Sequence, residues 1–175
     1  MLAYVFWHRP SPHADRTDYE LQLTAFHSAL AEHSPPGFQS SAAYAIEGEA
    51  PWMPGEETYE DWYLVSDYTA LGTLNDAAVT GELKNPHDTI AEPSADGAGA
   101  LYALRRGDAD QAATRNAAWL WKPRGMPYED FEANLPAGTL WQRQLVLGPS
   151  PEYCLRSGSP IEVPGGLALD LRRVT

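Results

Sequence analysis

Three short stretches recur, in the same order, in the two halves of the chain. Trp7 ahead of Pro10 is matched by Trp121 ahead of Pro123, and each precedes a Tyr-Glu step, Tyr19-Glu20 and Tyr128-Glu129. Trp62-Tyr63-Leu64-Val65-Ser66 is matched by Tyr153-Cys154-Leu155-Arg156-Ser157. Gly99-Ala100-Leu101-Tyr102-Ala103-Leu104-Arg105-Arg106 is matched by Gly166-Leu167-Ala168-Leu169-Asp170-Leu171-Arg172-Arg173. Internal repetition constrains a fold strongly, because each unit must bury the same face against something. The competing reading is one irregular α+β domain whose strands look alike because strands draw on few residue types. At 175 residues there is room for one domain or two small fused units. The repeat divides the chain into 1–108 and a shorter, degenerate 109–175, packed as one compact unit.

The local pattern says what each unit contains. Leu2 to His8 is rich in aromatic and β-branched residues and stops at Pro10, which predicts a strand. Thr17-Asp18-Tyr19-Glu20 fits a capping box, and Tyr19, Leu23, Phe26 and Leu30 form one helical stripe ended by Ser34-Pro35-Pro36-Gly37. A strand is expected within Phe38–Ile46, a Gly/Pro/Glu loop over 47–61, and a strand at Trp62–Ser66. Asp67 caps a helix over Tyr68–Val79. Gly81–Gly99 reads as a long mobile loop, and Ala100–Arg106 as a fourth strand. That order, βαββαβ, is the ferredoxin-like pattern. The second half repeats it with strands at 117–121, 140–147, 152–156 and 167–174 and a short helix opening at Tyr128. The segment Ser159–Gly165 replaces its second helix.

A four-stranded sheet with helices on one side leaves its other face bare. Two such sheets satisfy each other by packing bare face to bare face. The expected fold class is therefore α+β: tandem ferredoxin-like βαββαβ repeats, the second lacking its second helix, packed sheet to sheet as an intrachain α+β barrel. One chain would then do what a symmetric homodimer does with two, so a monomer, or a homodimer through another surface, is expected.

Charge and composition remove several function classes. The net charge of −12 repels phosphate backbones, so no nucleic acid partner is expected. No apolar run approaches the roughly 20 residues of a membrane helix. The N-terminus shows no secretion pattern, so a cytoplasmic protein is the expectation. The single cysteine, Cys154, excludes an internal disulfide and a Cys-based zinc site, and its mid-strand position reads as core. His13, Asp15 and His33 are too scattered for a metal site. There is no phosphate-binding glycine loop and no Gly-x-Ser-x-Gly elbow. Glu56-Glu57 and Glu60-Asp61 read as solvated loop charge, and Arg105-Arg106 and Arg172-Arg173 as strand-end partners for the acidic surplus.

A strand ending in a basic-Pro element, followed by a helix with an aromatic, a large residue four on and a His eight on, resembles the dimeric α+β barrel superfamily. EthD-like, NIPSNAP-like and antibiotic-biosynthesis-monooxygenase-like families belong to it. Here those positions read His8-Arg9-Pro10, Tyr19, Leu23 and His27, with Leu23 where the EthD-like pattern usually has Trp. The second half keeps Trp121-Lys122-Pro123 and Tyr128 but has Glu132 and Pro136 at the later positions, so it lacks the His. The resemblance implies a pocket between a sheet and its helices in the first half, with the second half a structural partner. It also implies a choice of chemistries: cofactor-free monooxygenase, isomerase or haem protein.

The candidate residues follow. His27 lies beside the apolar stripe, where imidazole serves as general base or ligand orienter, or simply packs as a satisfied boundary histidine. His8, Phe6 and Tyr4 share one strand face, facing either a pocket or the other sheet. Tyr19, Leu23 and Trp62 complete the expected ligand contacts. Trp7, Trp119 and Trp121 read as core. Trp52-Met53 either covers a pocket or subunit contact or tucks onto its own domain. The first functional reading is a small-molecule-binding protein, a cofactor-free enzyme of monooxygenase or isomerase type acting on an aromatic or polyketide-like compound, with His27 helped by His8. The alternatives are a non-catalytic binding or scaffold protein of the same fold, and haem binding through His27. No cofactor and no metal is assigned.

Overall fold

A computed structural model describes residues 1–145 and 148–175. Its first half runs β1 (Leu2–Pro10), α1 (Arg16–His33), β2 (Phe38–Glu47), β3 (Tyr59–Val65), α2 (Tyr68–Ala78), a 3-10 turn (Gly81–Leu83), α3 (Lys84–Ala91) and β4 (Ser94–Arg106). The second half runs β5 (Asn116–Leu120), α4 (Tyr128–Ala133), β6 (Thr139–Gln144), β7 (Tyr153–Ser157) and β8 (Leu167–Arg173). Of the strand expected at 140–147, residues 146 and 147 lie outside the described residues.

The eight strands close into one antiparallel barrel in the order β1-β3-β2-β8-β5-β7-β6-β4. Read within each half, the first four strands run β4-β1-β3-β2 and the last four β8-β5-β7-β6, which is the same order of first, second, third and fourth strands. The seams are reciprocal: β2 pairs with β8, and β4 with β6. The expected α+β barrel is thus formed, with the sheet edges joined rather than left free. Closure removes the exposed edges that a pair of open sheets would carry.

Strand alternation sorts the side chains. Ala3, Val5 and Trp7 of β1 point into the barrel with Trp62 and Leu64 of β3, Tyr102 of β4, Trp119 of β5 and Trp141 of β6. Trp7 and Trp119 therefore sit in the core, 5.4 Å apart, whereas Trp121 falls beyond the end of β5 and is 52% exposed. Trp52 and Met53 tuck onto their own chain, where Trp52 packs 5.1 Å from Trp119. Cys154 is a buried core residue.

Three local expectations are corrected. Asp15, not Thr17, caps α1 by accepting from the Asp18 N–H at 3.0 Å, so the helix begins two residues earlier than the capping-box reading placed it. The stripe Tyr19, Leu23, Phe26 and Leu30 is buried as expected. The supposed mobile loop at 81–99 contains the 3-10 turn, α3 and the start of β4, held by Leu83 and Ile90 in the core beneath the helices. Glu60 and Asp61 are not loop charge: β3 begins at Tyr59, and both carboxylates are buried, on opposite faces of the strand. Their partners come from distant sequence, which is why a local reading places them in solvent.

Glu60 points into the barrel. Trp62 Nε1 donates to it at 2.9 Å and Trp7 Nε1 at 3.3 Å, and Arg156 of β7 stands 3.7 Å away. The Arg156 guanidinium lies over the rings of Trp62 (4.0 Å) and Tyr44 (4.5 Å). This ion pair ties β3 of the first half to β7 of the second. At the surface, Arg105 pairs with Glu132 and Arg172 with Glu20.

Candidate functional site

The outward faces of β1 and β3 carry the chemistry. His8 stands opposite Tyr59, Phe6 opposite Asp61, and Tyr4 opposite Tyr63. The period of 2 that sends Trp7 and Trp62 inward sends these six outward, toward α1, α2 and α3. The face left open by the sequence is thereby settled: His8, Phe6 and Tyr4 face the helices, not the opposing sheet.

His8 and His27 converge on one carboxylate. His8 Nε2 is 3.2 Å from Asp61 Oδ1, and His27 Nε2 is 3.5 Å from Asp61 Oδ2. Tyr63 Oη donates to Asp61 Oδ2 at 2.8 Å, and its ring stacks on His27 at 5.2 Å. The far nitrogens are also engaged: His8 Nδ1 with Tyr19 Oη at 2.5 Å, and His27 Nδ1 with Ser41 Oγ at 2.7 Å. Tyr19 Oη continues to Ser94 Oγ at 3.1 Å, which donates to the Ile90 carbonyl at 3.0 Å. Asp61, His8, Tyr19, Ser94 and the Ile90 carbonyl thus form one continuous chain of polar contacts. All three central groups are nearly inaccessible to solvent.

The electrostatics follow from burial and charge. Burial by itself raises the Asp61 carboxyl, but the charges of His8 and His27 outweigh it and hold that carboxyl well below the usual carboxylate range. Burial, with the Asp61 charge beside it, pushes the Tyr63 phenol far up, and burial raises Tyr19 and Tyr4 too. Tyr59, which donates to Glu20 at 2.9 Å, is pushed up to about 12, first by burial and then by that carboxylate. The phenols around Asp61 are therefore hydrogen-bond donors at neutral pH, not bases.

A cavity of about 700 Å³ opens between this face and the helices. That volume falls in the range of small-molecule sites, roughly 300–1,000 Å³. Its sides are apolar: Leu23, Phe26 and Leu30 of α1, Leu71 and Leu74 of α2, and Ile90 of α3. His8, Asp61, Tyr63 and Ser94 supply polar wall, and Asn75, Asp76 and His87 stand with Tyr68 on the helices. The floor depends on two glycines of β4. A Cβ at Gly97 would lie 2.6 Å from Phe6, and one at Gly99 2.7 Å from Tyr4 Oη. Without side chains at these positions, the Phe6 and Tyr4 rings recline across β4 instead of standing up into the space.

Most of the sequence candidates meet here, with two changes. His8, Tyr4, Phe6 and Leu23 line the cavity, and Tyr19 supports it through His8 and Ser94. His27 does not line it; it stands behind Asp61. Trp62 is corrected: it is fully buried inside the barrel, because it alternates with Asp61 and Tyr63 along β3. Asp61, Tyr63 and His87 were missed. Starting β3 at Tyr59 would have put Asp61 and Tyr63 on one face, and the helical spacing of Leu83, His87 and Ile90 was the signal for α3. Among the described residues no group of three His, Cys, Asp or Glu side chains is arranged to hold a metal ion.

Among the described residues the second half has no such site. The equivalent outward face, Ala118 and Leu120 of β5 with Tyr153 and Leu155 of β7, packs directly on Phe131, Leu135 and Ile161. The space is filled by apolar side chains, and Tyr153 Oη turns to Glu132 at 3.0 Å. No helix of the described residues is long and apolar enough to cross a membrane.

No family model matches the chain, and no curated protein does. Solved structures do. An anthrone oxidase-like protein superposes with a TM-score of 0.54 at 10% identity, over 90% of this chain and 73% of its own. A candidate monooxygenase from Lactobacillus acidophilus NCFM superposes with a TM-score of 0.54 at 10% identity, over 99% of this chain and 94% of its own. At this identity the likeness speaks for architecture alone, and with the strand order it establishes that the chain folds as a closed α+β barrel of the kind seen in monooxygenase-like proteins.

Proposed function

We propose that the first half of the barrel binds an aromatic or polyketide-like small molecule and acts on it as a cofactor-free enzyme of monooxygenase or isomerase type, with the second half as its structural partner. The observation that carries this is the apolar cavity with His8 and Asp61 in its wall and His27 behind Asp61. In this reading His8 faces the ligand and takes up its proton. Asp61 stabilises the imidazolium so formed, and His27 is a positioning residue that holds Asp61 from behind. A carbon acid losing a proton here becomes a carbanion. Returned to another carbon, the proton gives isomerisation. With dioxygen as co-reactant, the carbanion is oxidised instead.

Anthrone is a suitable test compound because the balance is simple: anthrone and one O2 give anthraquinone and one H2O. The expected result is protein-dependent oxygen uptake that falls about 100-fold in His8→Gln, the lower end of what a general base contributes. Equal uptake with wild type, variant and buffer contradicts the catalytic reading for this class. The neighbours named for oxidase and monooxygenase activity support the reading as analogy, not as proof of reaction.

A non-catalytic binder is the second reading. Its specific support is that all four ring nitrogens of His8 and His27 face protein groups. It predicts saturable binding with no oxygen uptake. The haem alternative takes His27 as axial ligand; its support is weaker, since His27 stands behind Asp61, outside the residues that line the cavity, with Nδ1 on Ser41. Since the chain closes its own barrel, the proposed assembly is a monomer, or a homodimer through another surface.

A further inference from the structure

Gly97 and Gly99 lie within β4, where glycine weakens a strand. Neither has a left-handed backbone, so the conformation does not call for glycine at either position. The side-chain contacts do. In the register Phe6 lies opposite Gly99 and Tyr4 opposite Leu101, yet each ring crosses diagonally to the next glycine. A Cβ at Gly97 would stand 2.6 Å from Phe6 Cζ, and one at Gly99 2.7 Å from Tyr4 Oη. This lean lays the rings of Tyr4, Phe6 and His8 down together, with 17° between the first pair and 19° between the second. Tyr4 and His8 bracket the Phe6 ring along β1 at 6.3 and 5.4 Å, and Asp61 stands opposite it on β3. A side chain at Gly97 therefore lifts Phe6 off β4 and into the cavity that Phe6 lines.

We infer that Gly97 and Gly99 set the size of ligand this cavity accepts. By letting Phe6 and Tyr4 lie over β4 they admit an extended, flat ring system that alanine at either position excludes, while two-ring compounds enter in both cases. The inference rests on the reading of the cavity as a small-molecule site. It adds the positions that decide which ring systems enter.

1-Naphthol and 1-hydroxypyrene carry the same hydroxyl on two and on four fused rings. Each is titrated with the protein and followed by the anisotropy of its own fluorescence. Both should bind the wild-type chain. Gly97→Ala should weaken 1-hydroxypyrene at least about tenfold and 1-naphthol less than about threefold, as when an overfilled pocket excludes the larger of two ligands. In a Phe6→Ala background no ring is left to lift, and there the same substitution should change the 1-hydroxypyrene affinity by less than about threefold. Should Gly97→Ala not fold, Gly99→Ala carries the same test on Tyr4, with Tyr4→Ala as its background.

An unchanged 1-hydroxypyrene affinity in Gly97→Ala, or equal weakening of both compounds, overturns the size selection. So does an equal effect of Gly97→Ala with and without the Phe6 ring, or a wild-type chain that binds 1-naphthol and not 1-hydroxypyrene. Each of these results leaves the cavity as a binding site. Failure of both compounds to bind the wild-type chain overturns the small-molecule reading itself.

Discussion

Asp61→Asn is expected to lower stability by about 3–5 kcal/mol at neutral pH, the usual cost of breaking one side of a buried ionic cluster. For a chain of this size that corresponds to a fall in Tm of about 6–20 °C. The amide keeps an acceptor for Tyr63 but removes the anion between two histidines, which then face each other across the gap. The loss should depend on pH. Because the Asp61 carboxyl is held below its ordinary 3.8, its contribution is present above that value and disappears as pH falls through it toward the folded-state value. Urea midpoints of wild type and variant should therefore diverge at pH 7 and approach each other below about pH 4. A constant gap across that range would show that the histidine charges do not act on Asp61.

The second large effect lies on the other face of the same strand. Arg156→Met leaves the Glu60 carboxylate without its cation inside the barrel, and about 3–5 kcal/mol of stability should be lost at neutral pH. Burial raises the Glu60 carboxyl, and the Arg156 charge and the Trp62 and Trp7 N–H groups offset only part of that. The sign is opposite to that of Asp61. Stability from a raised carboxyl is fully present below the unfolded value of 4.5 and is lost as pH rises through the folded one. The variant should thus recover as pH falls and Glu60 takes up a proton. Glu60→Gln combined with Arg156→Met should regain most of the loss at pH 7, since Gln still accepts from the two indoles and Met fills apolar space. If the double variant is as unstable as the single, the Arg156 side chain contributes through its stacking on Trp62 and Tyr44 rather than through charge.

The two carboxylates also show where sequence reasoning stops. Periodicity and turn residues were enough for β1, for the buried stripe of α1, for α2 with its Asp67 cap and for the βαββ order that leads to the barrel. They were not enough for Tyr59-Glu60-Asp61, because two adjacent charges beside a Gly/Pro/Glu loop look solvated. Only the fold reveals that one of them meets an arginine 96 positions away and the other meets two histidines from β1 and α1. α3 was hidden for a similar reason: Pro86 and its polar neighbours read as loop, while Leu83 and Ile90 anchor it on a core the local sequence does not contain. His8, Phe6 and Tyr4 were legible as a set but not as to face, since a strand pattern fixes alternation and not which side is which.

The central claim is that the space beneath α1, α2 and α3 is where this protein binds its ligand. Gly72 of α2 lines that space, and a Cβ added there would meet no atom within 4 Å. Gly72→Phe therefore adds an aromatic ring at the cavity wall with open space around its Cβ, and it replaces a poor helix former by a better one. The measurement is fluorescence titration of wild type and Gly72→Phe with the neutral aromatic N-phenyl-1-naphthylamine, alongside the Tm of each. Saturable binding to wild type, its loss in the variant and a Tm at or above that of wild type is the predicted result. Equal binding to both proteins would place the ligand elsewhere and contradict the account.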